Sequence, residues 1–77
     1  MISLETISPH FVRMVTDKYS FYFSYSECIA FRVKGKLFCC ENRWTKTTGK
    51  HINFVEPNHK ERLPYADFIK LLEKLKI

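Results

Sequence analysis

The stretch Ser24-Tyr25-Ser26-Glu27-Cys28-Ile29-Ala30-Phe31-Arg32-Val33-Lys34-Gly35-Lys36-Leu37-Phe38-Cys39-Cys40 decides the reading of the fold. Ile29, Phe31 and Val33 alternate with Cys28, Ala30 and Arg32, which is the period of a half-buried strand. Lys34-Gly35 suits a two-residue hairpin turn, because Gly accepts positive φ. That turn sets Val33 opposite Lys36, Phe31 opposite Phe38 and Ile29 opposite Cys40 on one face. The other face carries Arg32–Leu37, Ala30–Cys39 and Cys28–Glu41. A slip of one residue would scatter the apolar side chains between faces, so the pattern fixes the register.

Upstream, Phe21, Phe23 and Tyr25 alternate with Ser20, Tyr22 and Ser24. A three-residue loop, Ser26-Glu27-Cys28, places Tyr25 beside Ile29, Phe23 beside Phe31 and Phe21 beside Val33. A two-residue loop would set Ser24 beside Ile29 and spoil the apolar face. The expected result is a three-stranded antiparallel meander with one aromatic side. Tyr22 falls on the opposite side and is expected to be exposed, forming with Leu37 and Cys39 an apolar patch for a partner or a dimer. Whether the strand Ser20–Tyr25 is an open edge that pairs between chains is left undecided by the sequence. Earlier still, Ser8-Pro9 reads as a helix start, with Ser as N-cap and Pro in the first turn, so that Phe11, Val12 and Val15 share a face. The β-branched content keeps a strand open there. Residues 1–7 show no clear period.

Downstream, Thr45, Thr47 and Thr48 are candidate N-caps for a short helix running to about Val55. Ile52 and Val55 would face the sheet, with Lys46, Lys50 and Asn53 toward water. Gly49 weakens this helix, and Pro57-Asn58 breaks the chain after it. Pro64 opens a second helix, expected to reach about Lys76. Its stripe is Phe68, Ile69, Leu72 and Leu75, and it is predicted to pack on the aromatic side of the meander. The fold class is therefore α+β: a three-stranded antiparallel meander packed against a C-terminal amphipathic helix, with a short helix between, in one small domain spanning residues 1–77.

At this length a chain buries only about 60% of the surface its unfolded form exposes, so it needs a dense core or a partner. Seven Phe, four Tyr and one Trp supply core material. No apolar run approaches the roughly 20 residues of a membrane span, and no secretory leader is read at the N-terminus, so no membrane partner is expected. The three cysteines are an odd number, and Cys39 and Cys40 are adjacent. Reduced, partly buried thiols in a cytosolic protein fit that pattern better than a disulfide framework.

Net charge is +5, which favours anionic partners, either nucleic acid or an acidic protein surface. Residues 1–27 hold two basic and three acidic groups, residues 28–55 six and one, and residues 56–77 five and four. The excess belongs to the middle third, which points to a local patch. Arg32, Lys34 and Lys36 gather at the hairpin tip. Arg43, Trp44, Lys46, Thr47, Lys50 and His51 follow the sheet. Cations neutralise phosphates, hydroxyls contact them, and an exposed Trp stacks on a base. The competing reading makes Trp44 core and the lysines a solvated rim.

Catalytic motifs are missing. Cys28, Cys39, Cys40, His51 and His59 lack the paired spacing of a zinc site, and adjacent cysteines on one strand serve one ion poorly. A Cys–His nucleophile needs an orienting third group and an oxyanion pocket, and neither is indicated. Gly35 and Gly49 are isolated, so there is no phosphate-cradling glycine loop. No cofactor and no enzymatic activity are expected.

Ser24-Tyr25, the strand Ile29-Ala30-Phe31, the hairpin return Gly35-Lys36-Leu37-Phe38, Trp44, Thr47-Thr48 and Lys50-His51-Ile52-Asn53 together resemble a family of short uncharacterised proteins encoded by bacteriophages and other mobile elements. The resemblance covers roughly residues 24–54. Cys39-Cys40 departs from its usual β-branched and small polar pair, and the aromatic strand before Tyr25 is longer than that pattern has. The resemblance implies a non-enzymatic accessory protein in the cytoplasm of a prokaryotic host. Such a protein would bind and inhibit or redirect a host protein or protein–nucleic-acid complex, in the manner of an anti-defence or anti-CRISPR protein. The alternative is a small regulator that binds DNA or RNA directly. A homodimer is left open.

Overall fold

The computed structural model describes residues 2–75. Its centre is a six-stranded mixed sheet in which every strand neighbours the next in sequence, in the order β1 to β6. The strands are β1 (Ser3–Ser8), β2 (Phe11–Val15), β3 (Tyr19–Ser24), β4 (Glu27–Val33), β5 (Lys36–Cys40) and the two-residue β6 (Arg62–Leu63). The first four pairings are antiparallel, and β5 with β6 is parallel. Between β5 and β6 come α1 (Lys46–Val55) and a 3₁₀ turn over His59–Glu61, and α2 (Tyr65–Glu73) follows β6. The chain is α+β, and the expected meander β3–β4–β5 forms the middle of a wider sheet. Helix α2 stops at Glu73 with Lys74 as its C-cap, short of the expected end near Lys76, a residue that itself lies outside the described ones.

The β4–β5 hairpin has the register that its alternation dictates. Phe31 faces Phe38, Arg32 faces Leu37 and Val33 faces Lys36. Lys34 and Gly35 both sit at positive φ, 52° and 77°. Two left-handed residues in succession match the right-handed twist of the flanking strands.

The β3–β4 connection differs from expectation. It is a two-residue turn, Tyr25-Ser26, between paired Ser24 and Glu27, so Phe21 faces Phe31 and Tyr19 faces Val33. The apolar face survives because Ile29 is an extra residue: Tyr22 pairs with Ala30 and Phe23 with Cys28. This bulge reverses the side on which the start of β4 points. Ile29 therefore packs with Ala30 and Cys39, not opposite Cys40 on the aromatic face.

The helix expected after Ser8-Pro9 is also replaced. Pro9-His10 is the turn of a hairpin between β1 and β2, with Ser8 paired to Phe11 and a register shift at Ile7. Pro supplies its fixed φ, and His10 takes the left-handed position at φ 63°. A proline followed by a left-handed residue is the order of a type II turn. The alternative of a strand, left open by Val12 and Val15, is the observed one.

Each helix covers one side of the sheet. On one side, α1 sets Ile52 among Phe11, Tyr22, Ile29, Ala30 and Cys39. Tyr22 and Cys39, expected to be exposed, are buried beneath it. On the other side, α2 drives Phe68 into Phe21, Phe31 and Cys40, with Ile69, Leu72 and Leu75 around the rim. This is the aromatic side assigned to it. Ring centroids of Phe31 and Phe68 are 5.4 Å apart. Strand β3 is interior, so it is not an edge. The sheet's edges are β1, where Leu4 is 73% exposed, and the two-residue β6.

Candidate functional site

Two turns meet at the end of the sheet where α1 begins. His10 and Tyr25 are both left-handed, at φ 63° and 57°. Neither is the glycine or asparagine that this conformation favours. The backbone amide of Tyr25 donates to the carbonyl of His10 at 2.7 Å. The two rings stack at 4.6 Å and 12°. Tyr25 nevertheless remains 53% exposed. A left-handed conformation costs roughly 1–2 kcal/mol per non-glycine residue, and such residues persist where surrounding structure over-determines them.

Beneath this pair lies a buried polar knot. Ser24 Oγ is 2.7 Å from His51 Nδ1 and 2.9 Å from Thr48 Oγ1. The imidazole of His51 also stacks on Phe11 at 4.6 Å and 11°. Burial, and secondarily the neighbouring charge of His10, hold His51 below its ordinary value of 6.5, so it is neutral at pH 7. The knot anchors the first turns of α1 to the end of β3. Thr45 caps the helix by accepting from the Thr48 amide at 3.3 Å. A serine beside a histidine suggests a nucleophile, but Ser24 is 1% exposed and its hydroxyl is bonded within the knot.

The outer side of α1 carries Thr47, Lys50 and Phe54. These positions, with inward His51, follow the three- and four-residue spacing of one helical face. Phe54 is 66% exposed and meets Phe11 edge-on at 5.5 Å. His10, Tyr25, Phe54, Lys50, Thr47 and Lys46 thus surround one end of the sheet.

The other residues expected to share this surface lie elsewhere. Arg32, Lys34 and Lys36 occupy the opposite end of β5. Its five residues, at about 3.3 Å each, separate them from Arg43 by roughly 15 Å or more. Lys36 Nζ sits 5.5 Å from the Phe38 ring centre. Arg43 turns toward α2, its guanidinium 3.9 Å over the Tyr65 ring. Trp44 is half-buried, packs against both cores and meets Tyr65 edge-on at 6.1 Å. It is a wedge between layers, partly buried against both clusters. Among the described residues the salt bridge is Arg13–Glu5 at 2.6 Å, so the nine expected site residues include no cation matched by a carboxylate.

Sequence reasoning missed His10, Tyr25 and Phe54. Phe54 carried a readable signal, an aromatic ring off the inward stripe of Ile52 and Val55. The Tyr25 turn carried none, since Tyr25-Ser26 contains neither Gly, Asn nor Asp.

The three cysteines are free thiols, Cys39 and Cys40 buried and Cys28 partly so. Burial pushes Cys28 up to about 11, Cys39 to about 12 and Cys40 to about 11. Thiols, not thiolates, are present at neutral pH. Among the described residues no three His, Cys, Asp or Glu side chains converge as metal ligands. No helix among them is long and apolar enough to cross a membrane.

No curated protein and no solved structure matches the chain. A family model does match, described as a family of unknown function (DUF8033), over residues 4–70. That span runs from β1 into α2 and takes in both turns, the buried knot and all of α1, and the chain belongs to this family.

Proposed function

We propose that the protein is a non-enzymatic binding module that grips a macromolecular partner with the end of the sheet where His10, Tyr25 and Phe54 emerge beside Lys46, Thr47 and Lys50. The observation that carries this reading is the stacked His10–Tyr25 pair. Two left-handed non-glycine residues are held in mutual contact, yet Tyr25 stays half exposed. Exposed, pre-ordered aromatic rings are the anchors that dominate interface energetics. The unmatched lysines on α1 complement an acidic rim and steer association. In this reading the chain is an accessory protein of a phage or mobile element. It would inhibit or redirect a host protein or protein–nucleic-acid complex in a prokaryotic cytoplasm.

The test is affinity capture from a prokaryotic lysate with the tagged chain and with a Tyr25→Ala, Phe54→Ala double variant. A protein retained by the first and lost by the second supports the reading. Identical captures by two folded baits overturn it.

Direct binding of DNA or RNA is the second reading, favoured by the unmatched Lys46 and Lys50. Trp44 weighs against it, because its ring packs against both cores. Titration with random duplex and single strands at increasing salt separates the two. Direct binding requires an affinity that falls steeply with salt.

A further inference from the structure

At the far end of the sheet from the stacked pair, the β2–β3 turn and the Lys34–Gly35 turn border a shallow, open cleft of about 170 Å³. Its lining includes Lys18, Arg32 and Lys34, the hydroxyl of Ser20 and one carboxylate, Asp17. The cations come from three separate segments: a turn, a strand and a second turn. Ser20 and Arg32 are cross-strand partners, so both project from the same side of the sheet. None of the three cations forms an ion pair among the described residues.

The cleft is built from ordered backbone. Thr16 closes the first turn, its Oγ1 accepting from the amides of Tyr19 at 3.0 Å and Lys18 at 3.4 Å. The second turn is the left-handed pair Lys34-Gly35. Positive φ at Lys34 is a local cost that glycine or asparagine would avoid, and it places a cation at the mouth. Space above Gly35 is open, with nothing within 4 Å of where a Cβ would lie.

Size and charge narrow the ligand. Pockets for drug-sized ligands start near 300 Å³. At about 170 Å³ this cleft falls well short of that. That suits a single oxyanion inside the cleft, with the rest of a larger ligand left outside its open mouth. Three cations less one carboxylate leave a formal charge of +2 (3 − 1). Arg offers a planar fork that pairs two oxygens of one anion, and Lys supplies point charges around it.

We propose that this cleft binds the dianionic phosphate of a phosphomonoester. Arg32 takes two phosphate oxygens, Lys18 and Lys34 flank them from the two turns, and Ser20 donates its hydroxyl to a third oxygen. The site is independent of the aromatic end, which lies across the full length of β3.

The test is amide chemical-shift titration of the full chain at constant ionic strength. The probes are inorganic phosphate, adenosine 5′-monophosphate, nitrate and a single-stranded oligonucleotide without a terminal phosphate. The expected result is saturable shifts at residues 16–20 and 32–35 with phosphate and the monophosphate, and none with nitrate. Arg32→Gln and Lys18→Gln should each weaken the response at least about tenfold, as loss of a charge-assisted hydrogen bond does. Both positions are exposed, so the fold is retained. Shifts at this cleft from the oligonucleotide alone would make it a phosphodiester site and overturn the proposal. Equal shifts with nitrate, shifts elsewhere, or none at all would also overturn it.

Discussion

The imidazole of His10 lies flat on the phenol of Tyr25, 4.6 Å between ring centres, and the backbones of the two residues are joined by a 2.7 Å hydrogen bond. Each residue closes a different hairpin, so the contact ties the β1–β2 turn to the β3–β4 turn. Neither turn contains glycine. The left-handed backbone is imposed at both places, and in each case the consequence is a ring held away from the core.

That arrangement predicts an unusual order of substitutions at Tyr25. Alanine removes the ring and keeps the left-handed strain. Glycine removes the ring and the strain together, worth roughly 1 kcal/mol or more in its favour. Denaturant unfolding should therefore find Tyr25→Gly more stable than Tyr25→Ala, while both lose the partner. A less stable glycine variant would mean that the turn is not left-handed at Tyr25.

The Ser24–His51–Thr48 knot gives stability a pH dependence near neutrality. Burial holds His51 below 6.5 in the folded chain. Above pH 6.5 both states are neutral there and the full stability is present. As pH falls below 6.5 the unfolded chain takes up the proton first, and stability is lost until the folded-state value is passed. Unfolding free energy should therefore decline from pH 7 toward pH 5, with a shallower slope in His51→Gln. Equal slopes in both proteins would remove His51 as the source. Ser24→Ala leaves the buried His51 Nδ1 without its partner, while Thr48 Oγ1 keeps a longer bond from Thr45 Oγ1 at 3.5 Å, and should cost about 1–3 kcal/mol.

The β4–β5 hairpin, the α1 cap and the placement of α2 were readable because each rests on a local rule. Lys34-Gly35 is a turn signal, Thr45 is a cap, and Phe68 lies on a helical stripe. The start of the chain was not readable. Ser8-Pro9 satisfies the rule for a helix start and equally that for a turn, and only pairing of β2 with β3 chooses between them. Ile29 is a further case. A bulge leaves no mark in an alternating sequence, yet it moves Ile29 to the other side of the sheet. The charge excess was visible, but its division between two ends follows from the direction of β5, which no composition reveals.

Gly49 looks like a defect in α1, and the structure gives it a neighbour. A Cβ there would come within 2.8 Å of Asn42 Nδ2. Asn42 donates to the Thr45 carbonyl at 3.2 Å and accepts from the Trp44 amide at 2.9 Å. Gly49→Ala gains up to about 1 kcal/mol of helix propensity and displaces that side chain. In a double-mutant cycle it should be neutral or destabilising beside Asn42. In an Asn42→Ala background it should stabilise by about 0.5–1 kcal/mol. Additive effects would mean that the two residues do not touch.

The cysteines should behave as core. With Cys39 pushed up to about 12, alkylation by iodoacetamide at pH 7.5 should be slow for the native chain and rapid in denaturant. The raised values also mean that stability is complete below the ordinary thiol range and is lost as pH climbs toward 11 and 12. Rapid modification of the folded protein at one thiol would reveal a thiolate and reopen nucleophilic chemistry.

The anchor of α2 is Phe68, not the leucines further along its stripe. Phe68 is fully buried and stacks obliquely on Phe31 at 5.4 Å, whereas Leu72 is only half-buried at the rim of the same cluster. A chain of this length has a total stability of roughly 4–12 kcal/mol at about 0.05–0.15 kcal/mol per residue. Phe68→Ala should remove about 3–5 kcal/mol of that, leaving a fold close to its unfolding threshold at room temperature. Leu72→Ala removes fewer buried contacts and should fall nearer 2 kcal/mol. Because α2 covers one side of the sheet and α1 the other, loss of Phe68 should strip protection from the α2 side first. Hydrogen exchange in Phe68→Ala should therefore accelerate at β3, β4 and β5, whose Phe21, Phe31 and Cys40 cluster with Phe68, before it does at β2. Uniform acceleration of all strands would show instead that the two layers unfold as one unit.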